Sequence, residues 1–281
     1  MGSAESPLRR PETLACLSLR VAAAMCFIGH GTFGVLTKQS WLPYFGAVGI
    51  GRERALALMP VVGAVDILLG ALILVWPTKA VLAYMTAWAA WTALLRPLAH
   101  QGFSEFLERA GNYGVPLALL LLGRVALPRG GWLARLKEAP LDARAARRIA
   151  LVLRGTTATL LLGHGALAAM GMGALPRHLA AIGLSPALGP AAAAGCFEIA
   201  LALAVVVVPS WPVLLLALGW KVATEALYPA TGDSLWEFVE RGGSYGAPLA
   251  SMILLRAAER GIPSSPQIRG FKGALPSGAV P

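Results

Sequence analysis

Apolar stretches nearly free of charge recur along the chain, at 21–36, 55–76, 80–95, 115–127, 155–176, 190–220 and 246–255. A helix that crosses a bilayer needs about 20 predominantly apolar residues, and several of these runs reach that length with their flanks. The 190–220 run is long enough for two crossings, with Pro209 and Pro212 marking the turn. The pattern predicts an all-α integral membrane protein of about eight transmembrane helices. The first run has Arg20 just before it and His30 within it, and it reappears in mid-chain. It therefore reads as a structural helix, not a signal peptide.

The two halves of the sequence resemble one another, at an offset of 134 early and 132 later. Leu19-Arg20 and Gly29-His30-Gly31 align with Leu153-Arg154 and Gly163-His164-Gly165. Gly63 to Asp66 aligns with Gly195 to Glu198, and Trp88 and Thr92 with Trp220 and Thr224. The segment Glu105 to Pro116 (EFLERAGNYGVP) matches Glu237 to Pro248 (EFVERGGSYGAP). Such self-similarity predicts a tandem duplication: a first four-helix unit at 1–127, a basic linker at 128–148, a second unit at 149–260, and a disordered tail at 261–281 rich in Pro, Gly and Ser. Each unit holds an even number of spans, so the two four-helix bundles should be parallel repeats standing side by side.

Composition supports a lipid solvent, with 57% hydrophobic and 14% charged residues where soluble domains carry nearer a quarter charged. The net charge of +10 gathers beside the apolar runs, which points to membrane flanks and away from nucleic acid. Sixteen of the 24 Lys/Arg lie in the N-terminal segment, the 124–154 stretch around the linker, the Lys79 turn and the tail. The positive-inside rule then puts both termini in the cytoplasm of a bacterial-type inner membrane. Cys16, Cys26 and Cys196 form no CxxC or His/Cys cluster, so no metal site or disulfide framework is expected.

Ionisable groups within spans are costly and ask for a partner or a job. His30 falls ten residues past Arg20, about 15 Å along a helix, between two glycines that let another backbone or a ligand approach. Asp66 sits near the centre of its run with Gly63 and Gly70 on the same face. The expectation is a His–carboxylate pair in each half, His30 with Asp66 and His164 with Glu198, forming an intramembrane polar site. Such a pair is either a structural hydrogen bond between helices or a proton- or ligand-handling site. Trp88 with Thr92 and Trp220 with Thr224 share helical faces. Lys221 and Glu225, also four apart, stand where the first half has Ala89 and Ala93. They are either a self-neutralising pair or the lining of a polar cavity.

The outer segments read as short interfacial helices. Ser234 and Glu237 make a capping box, and Leu235, Trp236 and Phe238 supply an apolar face. Gly242 and Gly243 should end that helix, Pro248 should open the last span, and Tyr245 should join the aromatic belt. Glu105, Arg109, Glu237 and Arg241, with Glu108 and Glu240, are the expected ion-pairing groups of the outer mouth. There is no Walker loop, GxGxxG, HExxH or CxxCH motif, so no self-contained catalytic motif is legible.

The order Leu19-Arg20, Gly29-His30-Gly31, Lys38, then Asp66-Ile67-Leu68-Leu69-Gly70 resembles the start of DoxX-family membrane proteins. In the second half Glu198-Ile199-Ala200-Leu201 looks like the second element of that pattern, although no Lys follows the second His-Gly pair. The resemblance implies a four-helix unit near membrane redox chemistry, since DoxX and DoxD relatives include a subunit of a thiosulfate:quinone oxidoreductase. The expectation is a membrane subunit of a quinone-linked respiratory or sulfur-oxidising system, with a quinone as ligand and a membrane or periplasmic redox protein as partner. A small-solute transporter and a non-catalytic scaffold for an enzyme are the alternatives.

Overall fold

The computed structural model describes residues 11–125, 131–136, 143–184, 188–208 and 210–259. The tail after 260 and parts of the linker lie outside the described residues. The described chain is all-α. Its helices are α1 (Pro11–Val35), α2 (Leu42–Ala47), α3 (Arg52–Val75), α4 (Lys79–Leu98), α5 (Phe103–Glu108), α6 (Ala110–Val125), α7 (Ala143–Ala169), α8 (Leu175–Ala181), α9 (Leu188–Val207), α10 (Trp211–Ala230), α11 (Leu235–Glu240) and α12 (Gly242–Glu259). Five of them, α1, α3, α7, α9 and α10, are long and apolar enough to cross a membrane, and α6 is a shorter apolar helix.

The packing is that of a molecule in an apolar solvent. Along α3 the buried positions include Gly63, Asp66 and Gly70, while Val61, Val65, Leu68 and Val75 are exposed. Large aliphatic side chains outside and small or polar ones inside suit lipid, where close backbone approach and polar satisfaction hold helices together. Gly31 and Gly34 of α1 meet Gly63 of α3, and Gly70 lies against Ile28, where an added Cβ would sit 2.7 Å from its Cγ1. The tight face expected for Gly63 and Gly70 is thus present. In the second half Gly165 of α7 meets Gly195 of α9 in the same way.

Both first-run arginines anchor helix ends. Arg20 donates from Nε to Ile73 O at 3.2 Å and from Nη2 to Leu74 O. Arg154 does the same to Val205 O at 3.3 Å and to Val206 O. A guanidinium there satisfies carbonyls that the last turns of α3 and α9 leave free and complements the negative helix end.

The halves interleave. Helix α6 packs on α4 and also on α7, and α12 packs on α10 and also on α1. α6 and α12 cross at Gly111 and Gly243, backbone to backbone. The side-by-side bundles expected from the sequence are corrected in this respect: helices of one half are built into the walls of the other. The same contacts change the role of the glycines after α11. Gly242 and Gly243 begin α12, because only a residue without Cβ fits against Ala22 and Gly111. Pro248 consequently lies inside α12 and does not open it. Tyr245 stacks on Phe238 at 4.9 Å and donates to Phe238 O at 3.1 Å, within the protein.

Candidate functional site

Each Gly-His-Gly segment of the sequence sits under a short helix from the other half. Gly29 of α1 admits the backbone of α11, where a Cβ would lie 2.5 Å from Glu240 N. Gly163 of α7 admits the backbone of α5 at Glu108 in the same manner. Glycine next to each histidine is therefore required by close approach. The result is that α11 covers His30 and α5 covers His164.

The first pair forms as expected. His30 Nδ1 lies 2.8 Å from Asp66 Oδ2, with the carboxylate only 1% exposed. A carboxylate accepts, so Nδ1 carries the proton and Nε2 is left for a ligand. The imidazole stacks on Trp41, centroids 4.4 Å apart. It opens onto a cavity of about 220 Å³ walled by Trp41, Tyr44, Phe45, Trp88, Trp91 and Thr92, with Arg96, Arg109, Asn112 and Glu240 as its polar groups. Three buried polar atoms here have no hydrogen-bond partner, Asp66 Oδ1, Trp88 Nε1 and Arg109 Nε.

The second pair does not form, which corrects the expectation of a His164–Glu198 bond. His164 Nδ1 turns to Leu160 O of its own helix at 2.9 Å. Its Nε2 faces Glu225 Oε1 at 3.2 Å and Glu108 Oε1 at 3.8 Å. Glu198 instead accepts from Trp220 Nε1 at 2.8 Å and from Lys221 Nζ at 3.3 Å. The reason is side-chain length. Glutamate carries one methylene more than aspartate, so Glu198 reaches α10, whereas Asp66 stops at His30 and leaves Trp88 unpaired.

Lys221 and Glu225 pair at 2.8 Å, as their spacing predicted, and both are buried. They stand at the positions that Ala89 and Ala93 hold in the first half, of which Ala93 lines the cavity beside His30. Around His164 the remaining void is only about 30 Å³. Thr92 and Thr224 line the respective spaces, but their hydroxyls donate to their own helices, to Ala89 O and Trp220 O.

Of the ion-pairing groups expected at the outer mouth, Glu105 accepts from Arg96 at 3.1 Å, not from Arg109. Arg109 instead bonds Glu240 of the other half at 3.3 Å and lies 3.6 Å from Glu108. Arg241 bonds Glu237 and reaches inward to Glu225, both at 2.9 Å. Ser234 caps α11 through Trp236 N at 3.3 Å, but Glu237 does not close the capping box. It is drawn to Lys38 and Arg241. Outside the spans, Arg177 and His178 both donate to Asp233. The bond from Arg177 raises that arginine and holds the Asp233 carboxyl below its usual range.

The sequence reading missed Arg96, Trp41, Tyr228 and His178. None has a periodic or paired signal in the chain, and all four depend on how the short segments between the long helices fold back. Among the described residues no His/Cys/Asp/Glu group has the arrangement of a metal site. No family model, curated protein or solved structure matches the chain.

Proposed function

We propose that the protein is a multi-pass subunit of a bacterial-type inner membrane that binds a quinone-type headgroup in the first-half cavity. In this reading the chain is a tandem pair of DoxX-like four-helix units with eight spans, both termini cytoplasmic and the α2, α5, α8 and α11 segments outside. It serves a quinone-linked respiratory or sulfur-oxidising system, and the electrons pass to or from a partner redox protein.

One observation carries the reading: a His–Asp pair whose free imidazole nitrogen meets an aromatic-walled cavity among apolar helices. Indole and phenol faces suit a flat ring, with stacked or edge contacts worth about 0.5–1.5 kcal/mol each beyond area burial. His30 Nε2 accepts from a quinol hydroxyl, and Asp66 stabilises the imidazolium that follows proton transfer, as in other oriented His–carboxylate pairs. Trp88 Nε1, Arg96 and Asn112 supply donors for ring oxygens. A ring of this kind also needs no charge on its binder, which agrees with a cavity whose arginines are already paired with Glu105 and Glu240.

Tryptophan fluorescence tests this directly, because three indoles line the cavity. A short-chain ubiquinol, kept reduced and titrated into purified protein in nanodiscs, should quench it saturably. His30→Ala should weaken the apparent affinity about tenfold, the scale of one lost hydrogen bond. Equal, non-saturating quenching of both proteins refutes the reading.

A further inference from the structure

With every side chain in its ordinary ionised form, the cluster joined to His164 holds one carboxylate more than it holds permanent cations. Five carboxylates, Glu108, Glu198, Glu225, Glu237 and Glu240, are joined by ion pairs to four permanent cations, Lys38, Arg109, Lys221 and Arg241. His164 is the link between the two parts of this network, lying between Glu108 and Glu225. The side chains of Glu198, Lys221, Glu225 and Arg241 are at most 6% exposed. An uncompensated charge at such a place is expensive.

The tautomer makes the deficit specific. Leu160 O can only accept, so the Nδ1 of His164 carries a hydrogen. A neutral ring would then point the bare lone pair of Nε2 at two carboxylate oxygens, which also carry only lone pairs. Placing one more proton there turns two repulsions into attractions and balances the network. The contact is at ion-pair distance but lacks hydrogen-bond geometry, and Nε2 of His164, Oε1 of Glu225 and Oε2 of Glu198 are all buried without a hydrogen-bond partner. A void of about 30 Å³ adjoins them. That is room for one or two waters, which need about 10–15 Å³ each by this measure.

We infer that the second half is a proton-binding site: one proton, with ordered water in the void, is held at His164 between Glu225 and Glu108. Nothing is oxidised. The proton comes from solvent, adds to the Nε2 lone pair, and leaves by the same bond. The charged and titratable groups that face the ring are Glu108 from α5, Glu198 from α9, and Lys221 and Glu225 from α10. Arg241 and Arg109 stand behind these acids, while Tyr228 and His178 close the void. His178 is itself tied to Asp233. The inference stands on this cluster alone and does not depend on what fills the cavity beside His30.

Nitrogen NMR of the full-length protein labelled with 15N-histidine tests it, with the four histidines assigned by substitution. His164→Gln identifies the signal; if that variant does not accumulate, removal of His30, His100 and His178 in turn leaves it by elimination. At pH 8, where free imidazole has lost its extra proton, His164 should show two protonated nitrogens. Glu225→Gln, or Glu108→Gln if the former does not accumulate, should convert it to the neutral pattern. A neutral His164 at pH 8 in the unaltered protein overturns the inference, as does a protonated one that is indifferent to both substitutions.

Discussion

His30 and Asp66 are joined across α1 and α3 by one short contact, Nδ1 to Oδ2 at 2.8 Å, and each keeps one polar atom uncommitted. The pair orients the ring and leaves its second nitrogen to the cavity. Disturbing either member should therefore have one common effect. Asp66→Asn and His30→Ala should each weaken ubiquinol quenching about tenfold, and the double variant should lose little more than either alone, as residues acting as a unit do. Additive losses in titrations of all four proteins would show that the two side chains act separately.

Ala93 of α4 lines the cavity beside His30, and α10 carries Glu225 at the corresponding position. Ala93→Leu should fill part of the 220 Å³ cavity and abolish saturable quenching. Because open space receives the added atoms, thermal unfolding should change by no more than about 1 kcal/mol, the range of tolerated hydrophobic changes. A quenching curve left unaltered would place the ligand elsewhere.

Lys221 neutralises Glu198 and Glu225 at once, 3.3 and 2.8 Å away. Lys221→Met should destabilise the protein by about 3–5 kcal/mol, the cost of leaving a buried charge unpaired. Glu225→Gln in the same chain should recover part of the loss. The check is the denaturant or thermal midpoint of both variants in one detergent.

Glycines on the spans fall into two groups. Gly163→Ala puts a methyl into the backbone of α5 at Glu108, and should cost about 1–3 kcal/mol as overpacking does. Gly219 of α10 has open space around it, so Gly219→Ala should be neutral or stabilising by up to about 1 kcal/mol through helix propensity. Thermal melts of the two single variants separate these outcomes.

Outside the spans, acid should loosen the tie between α8 and the α10–α11 turn. The Asp233 carboxyl is held low by Arg177 and then by His178. A depressed folded value means the stabilisation is complete above the ordinary carboxylate range, about pH 4, and is lost as pH falls through the lower folded value. Amide exchange at 231–234, corrected for intrinsic rates, should stay protected down to pH 4 and open below it. In Asp233→Asn it should already be fast at pH 6.

Much of this was readable in the chain because membrane helices announce themselves by length and by their rare charges. His30 with Asp66 followed from depth and glycine spacing, and Lys221 with Glu225 from a four-residue interval. The partner of His164 was not readable. Alignment of the halves says which residues correspond, but Asp66 and Glu198 differ by a methylene, and that is enough to exchange one bond for another. Nor does local pattern reveal that Glu108 serves His164 and Glu240 lines the space by His30. Those contacts join residues more than fifty positions apart, through two six-residue helices whose own sequences say only that they are amphipathic.

The crossed covering of the two histidines has a consequence for how this architecture can vary. A chain with a single half could not enclose its own imidazole and would have to borrow a lid from a twin, and identical twins must build identical chambers. Joining both into one polypeptide lifts that obligation. One chamber is free to stay empty for a guest while the other silts up with charge, and neither change has to be mirrored.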